Sequence, residues 1–129
     1  MNEKITKITE SEAEVMKVLW AAQKPLPVSV LTEELFQKCG WDSSTTRTFL
    51  RRLCQKGAVT AEKKEVFYYL PTVTEQEYNL ANTQQLIDRL YAGSAKDLVA
   101  ALLSQKKLGD DDIAELREMF RVDHPEDEK

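Results

Sequence analysis

Histidine is almost missing from this 129-residue chain, which has only His124, in a polar tail; the cysteines number two, Cys39 and Cys54. The cysteines have 14 residues between them, outside any CxxC or CxC pair, so the ligand spacing of a zinc site or a redox dithiol is lacking. In a reducing compartment neither cysteine needs a bridge: Cys54 falls near the core stripe of its helix and Cys39 at a helix end. With no nucleophile–base pair and no metal set, the chain does not read as an enzyme, and no cofactor is expected. No apolar stretch approaches the roughly 20 residues that span a bilayer. The opening Met1-Asn2-Glu3-Lys4-Ile5-Thr6 has no apolar segment of the secretory kind, so a cytoplasmic location without membrane insertion is expected.

An excess of positive charge is also absent. The formal net charge of -4 argues at face value against a polyanionic partner. The total hides an asymmetry, however. Residues 1–73 carry 11 Lys/Arg against 9 Asp/Glu, whereas residues 74–129 carry 7 against 13. Residues 43–64 hold six basic side chains (Arg47, Arg51, Arg52, Lys56, Lys63 and Lys64) and one acid, Glu62. Charges more than about 8 Å apart are largely screened at physiological ionic strength, so this local concentration matters more than the total.

The run Ser43-Ser44-Thr45-Thr46-Arg47-Thr48-Phe49-Leu50-Arg51-Arg52-Leu53 is the most informative stretch. As a helix it places Thr46, Phe49, Leu50 and Leu53 at i, i+3, i+4 and i+7, a core-facing stripe. Ser44, Thr48, Arg51 and Gln55 point the opposite way, with Thr45, Arg47 and Arg52 on the flanks. One side is buried and the other offers hydroxyls and guanidinium forks, which suits a helix held in a DNA groove.

The surrounding pattern agrees. Thr9-Glu10-Ser11-Glu12 is a capping box before a helix that places Met16, Leu19 and Trp20 on one face and stops at Lys24-Pro25-Leu26-Pro27. A second helix runs from about Val28 to Lys38 and ends at Gly40. A connection of about four residues then leads into the basic helix, which Ser43 is expected to cap and Gly57 to close: a helix-turn-helix. Val59-Thr60-Ala61-Glu62 and Val66-Phe67-Tyr68-Tyr69-Leu70 flank a charged tip and read as a β-hairpin ended by Pro71, with at least one of Tyr68 and Tyr69 packed inward. Trp41 reads as a core or turn plug. The fold class is thus mainly α with a small β-hairpin: a winged helix-turn-helix over residues 1–73.

Beyond this point the pattern is wholly helical. Thr74 with Glu77 opens one helix through Leu86 and Leu90, and Ser94 with Asp97 opens another through Leu98 and Leu102. Asp110-Asp111-Asp112 precedes Ile113, Leu116 and Phe120. Three such helices bury too little apolar surface for an independent core. Residues 74–122 are therefore expected to form a helical dimerisation domain in which two copies share one core through Leu86, Leu90, Leu98, Leu102, Ile113, Leu116 and Phe120. The alternative is that they fold back on the first domain. Residues 123–129 read as a frayed polar tail.

Four segments resemble the penicillinase-repressor family of bacterial transcription regulators (the BlaI/MecI/CopY type), in order and at the family's spacing. They are Glu12-Ala13-Glu14-Val15-Met16-Lys17-Val18-Leu19-Trp20, Thr45–Gly57, Phe67-Tyr68-Tyr69-Leu70-Pro71 and Gly93–Leu102. The resemblance implies a dimeric winged-helix repressor that binds a palindromic operator as double-stranded DNA. The family's recognition-helix positions fall on Ser44, Thr45, Arg47, Thr48 and Arg52, and its wing contacts on Lys63 and Lys64. In the best-known members a membrane-bound sensor protease relieves repression by causing a cut in the dimerisation region. The matching bond is Ala101-Leu102, where those members have asparagine–phenylalanine. The paired CxC motifs of the copper-responsive branch are absent.

Among these residues Arg47 is expected to read a guanine edge, and Thr45 and Thr48 to meet base edges or cap and solvate. Arg51, Arg52, Lys63 and Lys64 are expected on phosphates. Two other readings use the same fold: a winged-helix regulator with a small-molecule pocket near the dimer core, and a winged-helix module that binds protein instead of DNA.

Overall fold

The computed structural model describes residues 8–123, with side chains to residue 121. The expectations for the first six residues, for His124 and for the tail after Asp123 lie outside the described residues. Asp123 itself is the last residue of a helix.

The chain divides into two compact units, one up to Thr83 and one from Gln84. In the first, the order is α1 (Glu10–Ala22), β1 (Leu26–Pro27), α2 (Val28–Cys39), α3 (Ser43–Lys56), β2 (Val59–Lys63) and β3 (Phe67–Pro71). Next comes α4 (Glu75–Leu90), which begins in the first unit and ends in the second, followed by α5 (Ala95–Ser104) and α6 (Asp110–Asp123). Among the described residues no helix is long and apolar enough to cross a membrane.

The first unit is a winged helix-turn-helix. Val15, Met16 and Leu19 of α1, Leu31 and Leu35 of α2 and Leu50 and Leu53 of α3 pack with Leu26, Ala58, Val59 and Val73 into one buried cluster. Each fully buried Leu or Met contributes about 1.5–3 kcal/mol relative to exposure. The capping box of α1 forms as expected: Glu12 N–H donates to Thr9 Oγ1 at 3.2 Å and Thr9 N–H donates to Glu12 Oε1 at 3.0 Å. Trp20 closes the bottom of the unit, its indole N–H donating to Val73 O at 2.9 Å and its ring lying 5.4 Å from that of Tyr78 on α4.

The sheet has three strands in the order β1-β3-β2, all antiparallel. The hairpin was legible, but β1 was not. The proline-rich stop after α1 also pairs as a strand, with Leu26 opposite Tyr69 and Pro27 opposite Tyr68. Pro27 is tolerated because β1 is an edge, where a missing N–H breaks no inner ladder. Pro71 ends β3 as expected, as its last residue, opposite Val59. Tyr69 packs against the core and Tyr68 is half-buried.

The second unit is helical. Asp97 N–H donates to Ser94 Oγ at 3.1 Å to cap α5, and three aspartates occupy the first turn of α6, where the helix dipole favours negative charge. Its large apolar side chains are mostly at the surface: Leu90, Leu102, Leu116 and Phe120 are exposed, while Leu86, Leu98 and Ile113 are half-buried.

Candidate nucleic-acid interface

The site is built on α3 and the hairpin after it. The N-terminus of α3 is set by Asp42, not by Ser43 as expected: Asp42 has extended backbone and its Oδ1 accepts from Thr45 N–H at 2.8 Å. That bond, with contributions from Ser44, holds the Asp42 carboxyl below its ordinary value. Ser43 thereby becomes the first helical residue. At the other end Gly57 adopts φ 82°, which lets its N–H reach the carbonyls of Leu53 and Cys54 and turns the chain sharply into β2.

Between these stops the two faces separate. Thr46, Leu50 and Leu53 are buried, whereas Ser44, Arg47, Arg51 and Arg52 are exposed and Thr45 and Thr48 are half-buried. Phe49, read as part of the core stripe, lies at its edge. Its ring is 4.9 Å from that of half-buried Trp41, and the Arg52 guanidinium sits 5.6 Å above it. Trp41 and Phe49 thus form a small apolar block beneath Arg52, a cation–π arrangement that limits where this guanidinium can go.

The hairpin holds Lys63 and Lys64 by a similar device. Lys63 Nζ lies 4.8 Å from the ring centre of Phe67, its cross-strand neighbour, and Lys64 Nζ lies 5.9 Å from that of Tyr68. Sequence reading found the lysines but not the rings that hold them. The pairing register was the missing signal, since it places Phe67 opposite Lys63.

Helix and wing share a cleft of about 260 Å³ lined by Arg47, Leu50, Arg51 and Cys54 from α3 and Ala61, Phe67 and Tyr69 from the hairpin. Arg47 and Arg51 stand together on its helix side, one turn apart. Among the described residues no carboxylate pairs with Arg47, Arg51, Arg52, Lys63 or Lys64. The sixth cation of the stretch, Lys56, is different: its ammonium is bound to the buried carboxylate of Glu12. Burial pushes the Cys54 thiol up, away from the reactive thiolate. Among the described residues no group of three His, Cys, Asp or Glu side chains could hold a metal ion.

Five cations with no acid partner, on one helix and the adjoining hairpin, can engage phosphates by charge and base edges by bidentate hydrogen bonds. The chain is 31% identical over 118 residues to the penicillinase repressor of Bacillus licheniformis, covering 91% of each. It is 29% identical over 121 residues to the methicillin resistance regulatory protein MecI of Staphylococcus aureus, covering 93% of this chain and 98% of MecI. Among solved structures, the solution structure of the DNA-binding domain of the repressor BlaI is similar, with 36% identity and a TM-score of 0.52 over 57% of this chain and 90% of that one. The family model for the penicillinase repressor matches residues 8–121, and this chain belongs to that family.

Proposed function

We propose that the protein is a DNA-binding transcriptional repressor, not an enzyme, that acts in the cytoplasm as a homodimer on a palindromic operator. The observation that carries the reading is the set of five cations on α3 and the wing that pair with no carboxylate among the described residues. Residues 1–73 bind the duplex in this reading, and residues 74–122 join two copies. Arg47 reads a base edge; Ser44, Thr45 and Thr48 line the groove beside it; and Arg51, Arg52, Lys63 and Lys64 hold phosphates and fix the register.

The dimer part is supported by surface chemistry. Leu90, Leu102, Leu116 and Phe120 are each more than a third exposed, and Val99, Leu103 and Met119 add to the same unit. Apolar exposure on this scale is uncommon in a monomer and normal at an obligate interface. Leu86, Leu98 and Ile113, half-buried, supply the floor. Half-sites then lie about one helical turn apart, roughly 10 base pairs, or a multiple of it.

Release of the operator is the finest part of the proposal. The bond matching the family's cleavage point, Ala101–Leu102, lies inside α5, with Ala101 half-buried and Leu102 at the surface. A protease acting there, under a membrane-bound sensor, needs a turn of α5 to open first, and the cut removes Leu102, Ile113, Leu116 and Phe120 from the joined core.

Binding selection from random duplex DNA at fixed salt, with sedimentation of the same sample, tests the proposal. Enrichment of a two-fold symmetric sequence bound by two chains is expected. Sequence-blind binding, or a single chain on an unpaired half-site, overturns it.

A further inference from the structure

Glu12 is the only ionisable side chain in the buried set of the described residues, at 1% exposure; the other polar member is Thr46. It belongs to α1, yet its carboxylate is shared between two elements. Oε1 accepts from Thr9 N–H at the start of α1 and also binds the ammonium of Lys56, the last residue of α3, 44 positions away. Lys56 is itself three-quarters covered. Burying a carboxylate and an ammonium stabilises a fold no better than an apolar pair of similar volume would. What such a pair supplies is a single allowed arrangement: two donors converge on one oxygen, whereas leucines can slide.

The end of α3 is held from the other side as well. Thr72 Oγ1 donates to Gly57 O at 2.6 Å and Thr72 N–H donates to Ala58 O at 2.9 Å. We infer that Glu12 is a positioning residue for sequence reading: through Lys56 it fixes the tilt of α3, so that Arg47 meets a base edge at hydrogen-bond distance. The inference rests on the DNA-binding reading above. Lys56 lies nine residues beyond Arg47, about 14 Å along the axis, so a pivot of about 5° displaces one against the other by about 1 Å. Hydrogen-bond distances span only about 0.5 Å, so a shift of that size breaks a bidentate pair. Phosphate contacts made by flexible side chains survive it.

The test uses the full chain and three variants: Glu12→Gln, which keeps an oxygen for the Thr9 N–H; Lys56→Met; and the two together. Affinity for the selected duplex and for a scrambled duplex is measured at several salt concentrations, and urea unfolding gives the folded fraction. Each single variant is expected to lower the selected-to-scrambled ratio by about tenfold, the worth of one base contact, with scrambled binding and the salt slope unchanged. The double variant should recover stability relative to Lys56→Met, because no buried carboxylate is left alone, while the ratio stays low. A ratio that stays at the wild-type value in folded Glu12→Gln and Lys56→Met overturns the positioning role. A salt slope shallower by about one in Lys56→Met also overturns it, by making Lys56 a phosphate contact. A wild-type chain without any preference removes the DNA reading itself, before the variants are compared.

Discussion

The two units of this chain solve the burial problem differently. The first covers Val15, Met16, Leu19, Leu31, Leu35 and Leu53 completely; the second, among the described residues, buries one large apolar side chain, Ile87. Both contain amphipathic helices with well-formed caps, so the difference is not one of local structure. Three helices and a sheet enclose an interior in the first unit, whereas α5 and α6 leave a stripe on each uncovered. A core that closes on itself makes a reading head that folds within one chain. In the proposed dimer the open stripes make folding of the rest depend on association, and tie occupancy of DNA to protein concentration.

Substitution in the two regions sharpens the contrast most. Leu53→Ala should destabilise the first unit by about 2–5 kcal/mol, the range for a fully buried leucine. Leu116→Ala, at a position 45% exposed, should barely change unfolding at low concentration but should weaken association. Urea titration at two protein concentrations, with sedimentation, separates them; equal and concentration-independent losses would erase the distinction.

Within the first unit, Arg47→Ala and Lys63→Ala divide sequence reading from charge. Loss of Arg47 should cost about 1–3 kcal/mol on the operator and little on random duplex. Loss of Lys63 should weaken both alike and reduce the salt slope by about one. Parallel losses in the two variants, measured by fluorescence anisotropy across a salt series, would reject the division.

Smaller effects concern the ends and floor of α3. The buried Thr46 hydroxyl has no hydrogen-bond partner among the described residues, so Thr46→Val should be neutral or stabilising by up to about 1 kcal/mol, with DNA binding retained. A clear loss of stability in thermal melts would mean that the hydroxyl is satisfied in solution. Asp42 carries the smallest effect. Its folded carboxyl is held below the ordinary 3.8 by the Thr45 N–H, so its contribution is complete above the unfolded value and is lost as pH falls through the folded one. Unfolding followed from about pH 5 to about pH 3 should show a shallower decline in Asp42→Asn than in wild type; identical slopes would remove the cap from the account.

The sequence was most informative where signals are local. Thr9 with Glu12, Thr74 with Glu77 and Ser94 with Asp97 are three residues apart, and all three starts form as read. The expected Ser43 cap gives way to Asp42 because either side chain can cap, and the backbone decides which residue is extended. Phe49 satisfies the helical period and packs against the core, but is only half-buried at its edge, since the period gives a direction without giving the width of the surface that covers it. Strand β1 escaped notice because two residues make no pattern. The Glu12–Lys56 pair was out of reach for a different reason: nothing in either segment specifies the other, and only the packing of α1 on α3 brings them together. In the proposed interface the charges were readable, while the rings of Phe67 and Tyr68 beneath the wing lysines needed the register.

Thr72 fastens the root of the hairpin to the end of α3 with two hydrogen bonds, while its far end, from Lys64 to Val66, is closed by a backbone bond from Lys64 N–H to Val66 O. The arm is thus clamped to α3 at its shoulder, whereas the contacts described at its fingertip are made within the hairpin itself. Extra residues spliced in at the tip should lengthen the arm without being felt by the bundle, which, on the proposed DNA-binding reading, leaves the span of the footprint adjustable while α3 stays as it is.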